Sequence, residues 1–242
     1  MQQSNFYILA YTAGLTIICG LLLAVTATGL KPRQDENIAL EQKRNILASV
    51  MTLKETDDVK AIYEKRVKSY VVDFEGEVKE GVKAESVVAA DEYKKPKEDR
   101  LYPVYEIVSE TNPNKAEFYV FPVYGFGLWD NIWGFVALQE DMNTIKGVKF
   151  EHKGETPGLG ARIATEEIQA RYVGKKIFEG NEIVSVAMQK GEGQDYSNNP
   201  HQVDGMSGAT ITGKGVNKML LEYFGGYYNF IKSKTNKVSL NQ

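Results

Sequence analysis

The chain has 242 residues, 43% of them apolar and 25% charged, a globular balance that allows one sizeable domain plus an anchor, or two small domains. Its formal net charge of −3, with no basic stripe, gives no electrostatic case for nucleic-acid binding. One cysteine (Cys19) and two histidines (His152, His201) exclude an intrachain disulfide, a cysteine-ligated iron–sulfur or zinc centre and a multi-histidine metal site, so redox chemistry here calls for an organic cofactor.

No charged side chain precedes Lys31, and Phe6–Leu30 would be about 37 Å long as a helix, against a hydrocarbon core of roughly 30 Å. The run is too long for a signal peptide and lacks a basic leader, so residues 1–35 are read as a retained single membrane anchor, its threonine hydroxyls bonding back to the backbone. Lys31, Arg33, Lys43 and Arg44 follow the span, and charge alone leans toward a cytoplasmic main domain. Residues 36–100 read as a helical stalk and an irregular segment. Within them, 36–50 is a helix leaving the membrane with Ile38, Ile46 and Leu47 as its apolar positions. A second helix starts at Thr56 and carries Val59, Ile62, Tyr63, Val67 and Tyr70 on one face. The stretch from 71 to 100 is charged and turn-rich.

From Leu101 short β-type runs take over, at 103–109, 116–124, 132–138, 144–150 and 183–188, interrupted by a helix near Thr165. A last helix carries Val216, Met219, Leu220, Tyr223 and Phe224 and is expected to stop at Gly225-Gly226. The fold class is α+β: a single N-terminal transmembrane helix, then one domain over 101–242 with an antiparallel sheet packed by helices.

Three segments carry candidate chemistry. In Asp204-Gly205-Met206-Ser207-Gly208-Ala209-Thr210-Ile211-Thr212, small residues permit close backbone approach, and the following helix start favours a phosphate. Equally, Ser207 or Thr212 can simply cap the helix, with Gly205 and Gly208 serving a tight turn. Gly154–Arg162 is a glycine-rich loop open to a planar ligand, or an ordinary surface loop. In Gly125–Asp130, Trp129 offers a flat aromatic face to a ring, or fills the core. No nucleophile–base pair, phosphate-binding Walker loop or dinucleotide fingerprint is present, and no metal ligand set is expected.

The segment DGMSGATIT (204–212) resembles the flavinylation motif of the FMN-binding domain family, in which a separate flavin transferase joins the FMN phosphate to the motif's terminal threonine. Together with NILASV, GFGLWD, GETPGLGARI and the N-terminal span, it is similar to the C-subunit family of the sodium-translocating NADH:quinone oxidoreductase; the related G subunit of the ion-pumping Rnf complex shares the SGAT-type motif. The resemblance implies that 101–242 is an FMN-binding domain, that FMN is bound covalently by a phosphoester to Thr210, and that Asp204 matches the motif's leading acidic residue. Ser207, Gly208 and Ala209 would hold the phosphate end with Thr210. Glu155, Thr156, Gly158, Leu159 and Gly160, with Leu128 and Trp129, are the expected ring contacts.

The implied role is electron relay from NADH-side centres toward quinone. Its partners would be the complex's A, B, D, E and F subunits, the flavin transferase with its Mg²⁺, and membrane lipid. The resemblance also implies a bacterial inner membrane, single-pass, with an extracytoplasmic (periplasmic) flavin domain, against the charge reading. An Rnf-type electron-transport subunit and a non-enzymatic membrane-tethered binding module remain the alternatives.

Overall fold

The computed structural model describes residues 4–239, and side chains as far as Thr235; the outermost ends of the expected anchor (1–3) and domain (240–242) lie outside the described residues. The chain divides into two compact units, the first ending at Gln42 and the second starting at Lys43. The first unit is helical. Helix α1 runs without a break from Asn5 to Ala48, through Pro32, so the expected stalk helix at 36–50 is the continuation of the long apolar helix. Pro32 removes one backbone donor but sits beside Lys31, where the apolar run has ended. The helix is long and apolar enough to cross a membrane, and none of its most apolar window is buried within the chain. Thr12, Thr16 and Thr26 hydroxyls each donate 2.8 Å back to the carbonyl four residues earlier, so these three polar groups are satisfied within the helix.

The second unit is built on a five-stranded antiparallel meander, β1 (Val67–Val72), β2 (Tyr102–Val108), β3 (Ala116–Phe126), β4 (Asn131–Gln139) and β5 (Ile145–His152), in that spatial order. Period-2 alternation assigns side chains to two faces. Tyr102, Val104, Tyr119, Phe121, Val123, Val136 and Leu138 pack with the last helix, α5 (Thr210–Ser239), and with α4 (Glu166–Ala170). Tyr105, Ile107, Val120, Phe135 and Ala137 face the other way, onto Ile46 and Leu47 from the end of α1 and onto Val59 and Tyr63 of α2 (Val59–Arg66). Covering on both faces explains why these strands read as nearly continuous apolar runs.

Several expectations are corrected. Helix α2 starts after Asp58, whose carboxylate accepts from the Lys60 and Ala61 amides at 3.1 Å, and not at Thr56. It ends at Arg66: Val67 and Tyr70 lie on β1, paired with Ile107 and Val104, because a Val-rich run gains more from the sheet edge than from another helical turn. Val67–Val72 thus places the first strand of the sheet ahead of Leu101. Residues 73–100 are turns and short helical pieces, among them α3 (Ala89–Glu92), pinned along α5. Arg100 pairs with Glu222 at 2.9 Å, and Asn229 donates 2.8 Å to the Phe74 carbonyl. The run 183–188 is two separate pieces, β7 (Glu182–Ile183), paired with β6 (Phe178–Glu179), and β8 (Ala187–Met188), paired in parallel with β9 (Gln202–Val203). Ser185, at φ 59°, turns the chain between them. Gly225-Gly226 does not stop α5. A methyl on Gly226 would lie 2.5 Å from Cζ and Oη of Tyr102, so this glycine admits the tyrosine ring against the helix.

Candidate functional site

The three segments singled out in the sequence meet at the N-terminus of α5. Thr210 is its first residue, half-buried, and the first intrahelical bond runs from Gly213 N–H to the Ala209 carbonyl at 3.0 Å. The amides of Thr210, Ile211 and Thr212 therefore have no acceptor within the helix and point off its end. Ahead of them, Ser207 and Gly208 are exposed, and Gly208 has φ 73°, a backbone conformation that suits glycine. The Leu159 side chain lies over Gly208, where an added methyl would come within 2.8 Å of Leu159 Cδ2.

Glu155 joins the segments. It is 4% exposed, and its Oε2 accepts the Thr212 hydroxyl proton at 2.5 Å, while Oε1 accepts the Leu128 and Trp129 amides at 2.9 Å each. Burial acts against its charge, but the Thr212 hydroxyl and the amides of Trp129, Leu128 and Asp130 outweigh it, so the carboxyl lies below its ordinary range. Two glycines make room: a methyl on Gly127 would lie 2.8 Å from the Glu155 carboxyl carbon, and one on Gly160 would lie 2.6 Å from Thr212 Oγ1. Thr212 is thus spent on Glu155 rather than on capping its own turn.

A second carboxylate network holds the other side. Glu192 receives Arg162 at 2.6 and 2.9 Å, Arg171 at 3.1 Å and the Ser207 amide at 2.9 Å. The Arg162 guanidinium, then the Ser207 amide and Arg171, hold its carboxyl well below the ordinary range. Asp204 accepts the Gly193 and Gln194 amides at 2.8 and 3.1 Å and faces Arg171, whose guanidinium also donates to the Gly205 carbonyl. Asp204 therefore fastens the loop that delivers Glu192 to Ser207. Its carboxylate, like those of Glu155 and Glu192, is engaged inside the protein, and none of the three is free to act as a base toward Thr210.

The surface around Thr210 is apolar. Trp129 is 70% exposed, which rules out the core-filling reading, and Phe126, Leu128, Leu159 and Ile211 are exposed as well. Thr156 and Gly158 are also exposed, whereas Gly160 and Ala209 are buried beneath them. Thr156 caps the turn with its carbonyl, which accepts the Leu159 and Ala161 amides at 3.1 Å. Among the described residues no cluster of metal-ligating side chains occurs. The pairing of Glu192 with Arg162 and Arg171 left no pattern in the sequence, because 30 and 21 residues separate Glu192 from the two arginines. The available signal was the Gly191-Glu192-Gly193 pattern, both glycines having positive φ and lifting the carboxylate on a tight loop.

This geometry suits a phosphate and a planar ring: free helix amides, an exposed Ser207-Gly208 turn, a half-buried hydroxyl at Thr210 and a bed of exposed apolar side chains. Residues 127–223 match the FMN-binding domain family. The chain is 36% identical over 225 residues to the C subunit of the Na(+)-translocating NADH-quinone reductase of Haemophilus ducreyi, covering 87% of this chain and 86% of that protein. Identity to its counterpart in Pseudomonas aeruginosa is 32% over 245 residues, covering 93% of each. The crystal structure of the counterpart from Parabacteroides distasonis superposes with a TM-score of 0.73 at 32% identity, covering 84% of this chain and 96% of that one. Shewanella oneidensis NqrC gives 0.71 at 27%, covering 82% and 98%.

Proposed function

The chain belongs to the family of Na(+)-translocating NADH-quinone reductase C subunits, and from that premise we propose that it is a membrane-anchored electron carrier whose FMN is held by a phosphoester to the Thr210 hydroxyl. The observation that carries this reading is the place of Thr210: first residue of a long helix, beside exposed Gly208 and among exposed apolar side chains. The amides of the first turn and the positive end of the helix dipole would hold the phosphoryl oxygens, with Ser207, Gly208 and Ala209 forming the open turn beneath. Leu128, Trp129 and Leu159 would give the ring an apolar bed beside exposed Thr156 and Gly158, with buried Gly160 making room beneath it for the Glu155–Thr212 pair. FMN bound there would supply one- and two-electron chemistry.

A threonine hydroxyl is a weak nucleophile, and the neighbouring carboxylates are engaged elsewhere, so ester formation falls to an external flavin transferase with its own Mg²⁺. In the assembled enzyme, electrons would come from NADH-side centres and leave toward quinone, with the A, B, D, E and F subunits as partners; this chain alone catalyses no reaction. Helix α1 would anchor the chain in the bacterial inner membrane, with the flavin domain on the periplasmic side. Anchoring raises the effective concentration of the carrier near its partners, and the ester prevents loss of the cofactor to a large open volume.

The test is in-gel flavin fluorescence of the full chain and of Thr210→Val, each produced with a flavin transferase and denatured before electrophoresis. Wild type should fluoresce and the variant should be dark. If neither fluoresces while the same transferase labels a control substrate, the reading fails.

A further inference from the structure

We propose that Glu155 is a positioning residue rather than a ring contact: its one carboxylate fastens the Thr210 helix start to both loops that flank it, so that acceptor and ring bed form a single rigid unit. This rests on the flavin reading of the same site. Three observations carry it. Glu155 is almost wholly buried, so its carboxylate has no face to offer a ligand. Its oxygens bond a hydroxyl of α5 on one side and two successive amides of the 127–130 loop on the other, while its own backbone belongs to the 154–160 loop. And Gly127 and Gly160, one from each loop, are positions where a methyl would collide with the Glu155–Thr212 pair.

The chemistry accounts for a glutamate at this position. Three donors converge on two oxygens, which an ionised carboxylate satisfies with lone pairs to spare. Glutamine can keep its carbonyl on the Leu128 and Trp129 amides and turn its amide nitrogen toward Thr212 Oγ1, whose hydroxyl can accept. Alanine leaves two amides and a hydroxyl buried without that acceptor. The geometry therefore orders the variants: Glu155→Gln close to wild type, Glu155→Ala loosened. A site for which Glu155 merely added stability would lose function in proportion to lost stability from any source.

The test uses the full chain in detergent with its flavin transferase, comparing wild type, Glu155→Gln, Glu155→Ala and Gly226→Ala. The last is a stability control whose methyl strikes Tyr102 far along α5. Three quantities are read: the rate of flavinylation, the fluorescence anisotropy of the attached flavin, and hydrogen exchange at the Leu128 and Trp129 amides. For Glu155→Ala we expect flavinylation slowed roughly tenfold, lower anisotropy, and exchange faster by roughly tenfold at both amides, as expected when buried donors lose their acceptor. Glu155→Gln should recover most of each, and Gly226→Ala should match wild type in rate and anisotropy despite its lower stability. If Glu155→Ala does not fold, Thr212→Val, which severs one of the three bonds, should shift the same readouts in the same direction. Wild-type rate and anisotropy in Glu155→Ala, or an equal loss in Gly226→Ala, would overturn the proposal. An unlabelled wild type would instead remove the flavin reading, and the exchange data would still report whether Glu155 clamps the loops.

Discussion

The two adjacent glycines of α5 give a sharp test of how the helix that carries Thr210 is seated. An alanine in a helix interior is worth about 0.5–1 kcal/mol over glycine, because less backbone entropy is lost on folding. At Gly225 an added methyl meets nothing within 4 Å, so Gly225→Ala should keep the whole of that gain. At Gly226 the methyl would sit 2.5 Å from Cζ and Oη of Tyr102, a ring that cannot step aside. It is 1% exposed, lies 5.1 Å from the Tyr227 ring and 6.5 Å from the Tyr223 ring, and donates its hydroxyl to the Lys97 carbonyl at 2.8 Å. Overpacking of that kind costs about 1–3 kcal/mol, so Gly226→Ala should lose on the order of 1–2 kcal/mol net of the helical gain. Urea melts of the detergent-solubilised chain, followed by far-ultraviolet circular dichroism, should place the two variants on opposite sides of wild type. Equal destabilisation of both would mean that the helix does not run through the pair, and that the seating of α5 against Tyr102 is misread.

Other outcomes follow from the charge networks. Arg100→Ala leaves Glu222, whose side chain is 14% exposed, as a largely desolvated charge without its guanidinium, and it frees the Lys95 and Tyr93 carbonyls. A loss of about 3 kcal/mol is expected in the same urea melt, and a change within error would refute the pinning of residues 73–100 by this pair. The carboxyls of Glu155 and Glu192 both lie below their ordinary value of 4.5 in the folded state, so each contributes stability that is complete above that value and is lost as pH falls through the lower folded value. Thermal midpoints should therefore hold steady from neutral pH to about 5 and fall below it, less steeply in Glu192→Gln; midpoints unchanged down to about pH 3 would contradict this.

Much of the fold was legible because its signals are local. Four sheet strands appear as runs of Val, Ile, Phe and Tyr between turn residues, and the long apolar helix as an uncharged stretch ending before Lys31. The first strand was hidden because Val59, Ile62, Tyr63, Val67 and Tyr70 satisfy helical spacing, and only pairing with Ile107 and Val104 decides for the strand beyond Arg66. Gly225-Gly226 misled for a similar reason: helix-stopping glycines and glycines that admit a neighbouring ring look alike until Tyr102 is in place. At the candidate site, the three informative segments could be found along the chain, but not the clamp that unites them. Glu155 and Thr212 bond across 57 positions, and Glu192 reaches Ser207 from a separate polar loop. Buried carboxylates of this kind are specified by tertiary convergence, which leaves no periodic trace.

A phosphoester at Thr210 is tested by fragment mass spectrometry of the tryptic segment between Lys190 and Lys214, from chain produced with its flavin transferase. That segment also carries Ser197, Ser207 and Thr212, so fragmentation discriminates among the hydroxyls. The expected result is a mass gain of one FMN less one water, confined to fragments that contain Thr210 and absent from those ending before it. A segment without added mass, or with the flavin on Ser207 or Thr212, would contradict it.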